Sequence, residues 1–167
     1  MKCILAAVLL SIPAAPAAAQ DFLFSPGATE ECLKIAGSAD ERRQCIGLSA
    51  NRCMEDSVGG HSTYGMGACT ELERRYWDER LNARYRILLD RDSSTDAETA
   101  ELGLAAPSLV ENLRAMQRAW ISYRDAKCGY EMAQWGGGTG QGPALLGCLM
   151  RLTALQTLYL EERLEER

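Results

Sequence analysis

Met116-Gln117-Arg118-Ala119-Trp120-Ile121-Ser122-Tyr123-Arg124-Asp125-Ala126-Lys127-Cys128 reads as one uninterrupted helical segment. Apolar side chains recur into and through it at Leu109, Leu113, Met116, Trp120 and Tyr123. That 4-3-4-3 rhythm places them on one face of a helix. The face carries Trp120, the bulkiest side chain of the segment, so neighbouring helices are expected to pack around it. The helix is expected to open at Pro107 or Ser108 and to run to Trp135. Proline is tolerated in a first turn because its missing N–H has no partner there anyway.

Downstream, Gly136-Gly137-Gly138-Thr139-Gly140-Gln141-Gly142 breaks the chain. A last helix is expected from Pro143 to Leu164, with Leu145, Cys148, Leu149, Leu152, Leu155 and Tyr159 as its inner stripe. Its charged end, from Glu161 onward, reads as solvated and frayed. Upstream, Asp90 to Pro107 reads as a polar connection with its clearest break at Asp92-Ser93-Ser94-Thr95-Asp96, part of it helical around Ala97 to Leu104. Before it, a helix from Thr63 to Arg91 carries the stripe Cys69, Leu72, Tyr76, Trp77, Leu81, Tyr85, Leu88. Glu73, Arg74, Asp78, Glu79 and Arg84 are assigned to its solvent side. Gly65 and Gly67 weaken its first turns by about 1 kcal/mol each relative to alanine.

Glu55 to Gly67 begins as a Gly-rich polar loop that holds the only histidine, His61. Ahead of it, Thr29 to Ala36 reads as a short helix stopped by Gly37. Ser38-Ala39-Asp40-Glu41 is a capping box opening a second helix through Met54. Gln20 to Gly27 reads as a loose N-terminal segment. No period-two alternation competes anywhere. The expected fold is all-α: a small disulfide-stapled bundle of long antiparallel helices with an extra N-terminal helical hairpin.

The chain has 167 residues, enough for one domain with a sizeable core. Lys2, the apolar run Ile4 to Leu10 and the small-residue ending Ala17-Ala18-Ala19 form the pattern of a cleavable secretory signal peptide, cut after Ala19. That run is too short for a membrane span, and no later stretch reads as one. Cleavage removes Cys3 and leaves Cys32, Cys45, Cys53, Cys69, Cys128 and Cys148. An even count in an exported chain reads as three disulfides. Six cysteines allow 15 pairings, and the residues alone do not choose among them. The sequential set Cys32–Cys45, Cys53–Cys69, Cys128–Cys148 is the expectation, because each bond closes one helix-turn-helix or one loop between helices. Loss of Lys2 leaves 17 basic against 23 acidic residues, a net charge of −6. That balance disfavours nucleic acid and anionic membranes as partners and suits a basic protein.

Gln117-Arg118-Ala119-Trp120, then Tyr123-Arg124-Asp125-Ala126, then Cys128, resembles the hallmark of the LprI-like lysozyme inhibitor family of exported bacterial proteins. Cys53, Cys69, Leu72 and Leu81-Asn82-Ala83-Arg84-Tyr85 are similar to the first half of that domain, and Gly147-Cys148-Leu149-Met150-Arg151-Leu152-Thr153 to its closing helix. The resemblance spans Cys53 to Leu164 and implies a helical, disulfide-bonded, periplasmic or cell-surface protein. It divides the chain into the signal peptide 1–19, a hairpin extension 20–52 and an LprI-like domain 53–167.

Several candidates for chemistry are weighed against simpler roles. Trp120, Tyr123, Arg124 and Asp125 offer the residue types of a binding hot spot, but the better-supported role is structural, with Trp120 and Arg124 stacked at i, i+4. His61 between Cys53 and Cys69 suggests zinc, yet the spacing fits no common finger and no Cys-x-x-Cys occurs. Asp56, Ser57 and Ser62 near His61 do not make a nucleophile elbow. The Gly136–Gly142 loop lacks the Gly-Lys-Ser/Thr of a P-loop and follows no strand. Neither a metal nor a cofactor is expected. Two loops remain as binding candidates: Glu55–Gly67, with His61 and Tyr64, and Gly136–Gly142, with Thr139 and the flanking Trp135.

The leading expectation is an exported, non-enzymatic inhibitor or binding protein, directed at lysozyme and acting by occlusion of its cleft. The alternative is a periplasmic adaptor whose N-terminal hairpin binds another envelope protein. An enzyme ranks last, since one histidine and six paired cysteines leave few catalysts.

Overall fold

The computed structural model describes residues 21–166; the signal peptide, its cleavage point and Cys3 lie outside them. Among the described residues six helices follow one another: α1 (Gly27–Ile35), α2 (Ala39–Gln44), α3 (Leu48–Asp56), α4 (Thr63–Glu101), α5 (Leu109–Ala133) and α6 (Gln141–Glu165). No strand occurs among the described residues. At 1.5 Å per residue α4 is about 58 Å long, and α5 and α6 are about 37 Å each. The three disulfides join Cys32 to Cys45, Cys53 to Cys69 and Cys128 to Cys148.

The long helices run up, down and up. Gly67 lies beside Leu146, Trp77 packs on Ala154 and Leu158, and Arg91 Nη1 donates to the Arg163 carbonyl at 2.8 Å. So α4 and α6 are parallel, and α5 runs antiparallel to both. Leu113, Met116 and Trp120 of α5 pack on Leu81, Leu88 and Leu160. Gln156 Nε2 donates to Gln117 Oε1 at 3.1 Å. The most deeply buried large side chain is Trp77 on α4, so α4, not α5, is the central helix. In α5 only Gln117 and Cys128 are buried, and Tyr123, placed on the inner face by periodicity, is exposed. A 4-3 stripe locates a face to within a side chain or two; Tyr123 sits at its edge.

Two helix boundaries differ from the sequence reading. The capping box at Ser38 forms as expected: its hydroxyl accepts from Glu41 N, and Glu41 accepts from Ser38 N. The helix it opens stops at Gln44 rather than Met54, and a new one starts at Leu48. Gly47 turns the chain at φ 94°, a left-handed backbone that suits glycine. The second difference is α4, which continues through Asp92-Ser93-Ser94-Thr95-Asp96 instead of breaking there. Ser94, Thr95 and Thr99 donate to the carbonyls four residues back, so their hydroxyls are satisfied inside the helix and do not compete with its backbone in a turn. The stop comes at Gly103, φ 69°, where Gly103 N and Leu104 N donate to the Ala100 and Thr99 carbonyls in a Schellman turn.

α6 also corrects the sequence reading. Its buried residues are Thr153, Ala154, Thr157, Leu158, Leu160 and Glu161, while Tyr159 is exposed. Small residues face α4 because Trp77 lies opposite; Thr157 Oγ1 donates to the Trp77 carbonyl at 3.2 Å. By length and composition α6 is long and apolar enough to cross a membrane. That corrects the reading that no later stretch qualifies. In this fold the helix is tied to α5 by Cys128–Cys148 and packs its apolar side chains on α4.

Candidate binding surface at the loop end

The up-down-up order brings the α3–α4 loop and the α5–α6 loop to the same end of the bundle, because α4 and α6 both begin there. Each is braced. In the first, Gly59 takes φ 71°, and Ser62 caps α4 by accepting from Gly65 N while its hydroxyl donates to the Gly59 carbonyl. A Cβ on Gly60 would lie 2.2 Å from the Met54 carbonyl oxygen, and one on Gly65 2.2 Å from that of Gly59. Backbone there leaves no room for a side chain. Ser57 Oγ accepts from Leu23 N at 2.8 Å, and Phe22 packs on Tyr64 with ring centroids 5.7 Å apart. The Cys53–Cys69 bond closes the loop from behind.

The second loop is also fixed rather than loose. Gly136 and Gly137 take φ 55° and 89°, and Gly138 N donates to the Trp135 carbonyl at 2.9 Å. The Trp135 ring lies over Gly140, where a Cβ would come within 2.3 Å of it. Cys128–Cys148 ties the two helices behind. The result is a rigid end with aromatic side chains turned outward: Tyr64 is 68% exposed and Trp135 55%. His61 and Thr139 are exposed on the same two loops. Glu55 and Asp56 add acidic charge, both paired with Arg52.

The other candidates separate. Cys53 and Cys69 are bonded to each other, which removes them as zinc ligands for His61. The Arg124 guanidinium stacks on Trp120 at 4.9 Å and donates to Asp125 from Nε at 2.9 Å. Trp120 and Arg124 are half-buried, whereas Tyr123 and Asp125 point outward.

Two buried carboxylates were assigned to solvent by the sequence reading and belong to the core. Glu73 is fully buried. It accepts from Thr29 Oγ1 (3.1 Å), Gly47 N (2.8 Å), Ala50 N (2.6 Å) and Trp77 Nε1 (3.0 Å). Gly47 has no side chain with which to cap α3, so Glu73 does so from α4. Glu161, read as part of a frayed end, takes Arg80 Nε at 2.6 Å, Arg84 Nε at 3.0 Å and Arg42 Nη2 at 2.9 Å. A signal for the first existed: Glu73 lies four residues from both Cys69 and Trp77, on the core face. Apart from Trp77, the partners of both carboxylates are distant in sequence and left no signal. Elsewhere, hydrogen bonding from Arg74 holds the Glu71 carboxyl below its usual range against the opposing effect of partial burial, with Arg75 adding to the shift.

The family model "Lysozyme inhibitor LprI" matches residues 53–160. The chain belongs to the LprI lysozyme inhibitor family. The matched residues cover the end of α3, α4, α5 and most of α6. An uncharacterised protein of Rhizobium meliloti (strain 1021) is 33% identical over 104 residues, 62% of this chain and 75% of that one. An uncharacterised 17.7 kDa protein from the puhA 5′ region of Rhodobacter capsulatus is 28% identical over 134 residues, 80% of this chain and 82% of that one. No solved structure matches the chain at a significant level. Three disulfides in an LprI-family chain point to an oxidising, extracytoplasmic compartment.

Proposed function

We propose that this LprI-family chain is exported after cleavage at Ala19 and acts, without catalysis, as a protein inhibitor that occludes the cleft of a lysozyme with its loop end. The observation that carries the reading is the pair of braced loops at one end, each presenting an exposed aromatic, Tyr64 and Trp135. Exposed aromatics on rigid mounts give contact area at little entropic cost, the property of interface anchors. His61 and Thr139 supply polar contacts beside them. The net charge of −6 left by loss of Lys2 speeds encounter with a basic enzyme more than it adds affinity.

A lysozyme activity assay with the oxidised mature protein, at low and moderate salt, tests this. Inhibition should appear, weaken with salt, and fall on Tyr64→Ala or Trp135→Ala while helicity is kept. Full activity of several lysozyme types at micromolar protein would sink the inhibitor reading. The second reading is an envelope adaptor. It draws on a groove of about 660 Å³ between the N-terminal hairpin and α6, lined by Leu33, Ala36, Arg43, Leu155, Tyr159 and Glu162. A pull-down that captures the same envelope protein with and without a blocking substitution in that groove argues against it.

A further inference from the structure

We propose that the outer face of α5 is an interface between two copies of this chain, packed antiparallel about a two-fold axis at Ser122. The inner side of α5 is marked by Gln117, Trp120 and Cys128. The opposite side follows the same 4-3 spacing with Ala115, Ala119, Ser122, Ala126, Gly129 and Ala133. All are exposed except the half-buried Gly129. These six span about 27 Å of helix at 1.5 Å per residue.

Three features argue that this face is covered, and by what. First, Gly129 sits inside a helix, where glycine costs about 1 kcal/mol relative to alanine. A Cβ built there meets nothing within 4 Å, so no contact within the chain explains the glycine. Room for another backbone does. Second, the seam is flanked on one side by Tyr123 and Tyr130, 57% and 69% exposed. Large apolar rings beside small residues form a ledge for a second helix. Third, the opposite flank carries exposed Arg118 four residues before Ser122 and Asp125 three residues after it. Asp125 takes its bond from Arg124 on Oδ1 only.

An antiparallel pair about an axis at Ser122 keeps each flank on its own side. Arg118 of each copy then faces Asp125 of the other, twice, and the two Tyr123 rings meet near the axis. A parallel two-fold pair would instead set the Arg118 flank of each copy against the tyrosine flank of the other, so Arg118 would not meet Asp125. Self-complementarity of this kind selects a second copy as occupant, through an isologous contact. One helix face is a small interface, so the dimer forms at tens to hundreds of micromolar rather than permanently.

Sedimentation of the oxidised mature chain over that range is the test. The expected mass rises from one chain toward two with concentration. Arg118→Asp raises the dissociation constant about tenfold by setting like charges across the axis twice, and Arg118→Asp with Asp125→Arg restores it. Ser122→Cys, at the axis, yields a covalent dimer on a non-reducing gel with the three native disulfides intact; Ala115→Cys, which faces position 129, does not. A chain that stays monomeric throughout, or a dimer indifferent to the charge reversal, overturns the proposal. So does exclusive binding of a foreign helix to this face.

Discussion

Replacing Glu73 by alanine tests whether one buried carboxylate locks the N-terminal helices onto the LprI domain. Four donors converge on it. Thr29 Oγ1 has a fallback, the Cys45 carbonyl at 3.3 Å. Gly47 N, Ala50 N and Trp77 Nε1 have none. Leaving a buried donor unsatisfied costs about 1–3 kcal/mol. Water entering the vacated space relieves part of that, so Glu73→Ala is expected to cost about 3–5 kcal/mol in all. Glu73→Gln keeps an acceptor for three donors and turns an amide N–H₂ on Ala50 N, for about 1–2 kcal/mol. The assay is urea unfolding of the oxidised protein, followed by far-UV circular dichroism and tryptophan fluorescence. A loss below about 1 kcal/mol for Glu73→Ala would refute the reasoning, since it would mean that the α3 N-terminus finds other acceptors.

Glu161→Ala should cost about 2–4 kcal/mol in the same urea assay, because Arg42, Arg80 and Arg84 would be left facing one another half-buried; a change within error would mean that the arginines relax into solvent. Asp96 accepts first from Leu109 N, then from Ser108 Oγ and Val110 N, which holds its carboxyl below the usual aspartate range. A depressed folded-state value means that its stabilisation is present above the unfolded value and is lost as pH falls through the folded one. The protection of Leu109 and Val110 amides from hydrogen exchange, measured relative to their intrinsic rate at each pH, should therefore fall on acidification below about pH 4, and Asp96→Asn should abolish that dependence.

The helical class, the signal peptide pattern and the even cysteine count were legible because each is local: periodicity, a leader's composition, a number. The sequential pairing needed only that neighbouring helices touch. Helix ends were harder. Asp92 to Asp96 looks like a break, because hydroxyl and carboxylate side chains favour turns when nothing else is known. Here their bonds run to carbonyls one turn back and, from Asp96, forward onto the start of α5. The binding loops could be named from glycine and aromatic content, but nothing local said that they share an end.

By itself, then, the order of residues determined a disulfide-stapled, all-α chain with the LprI motif, since each of those properties is set by spacings of a few residues or by composition. Tertiary structure alone decided that α4 is the axis, which N-terminal donors meet Glu73, that Glu161 is buried, and that Tyr123 and Asp125 of the motif face outward. A carboxylate enters a core only when donors from distant segments converge on it, and a helix face is outer only when no other element takes it. Both are facts about partners far away in sequence, which no local pattern encodes.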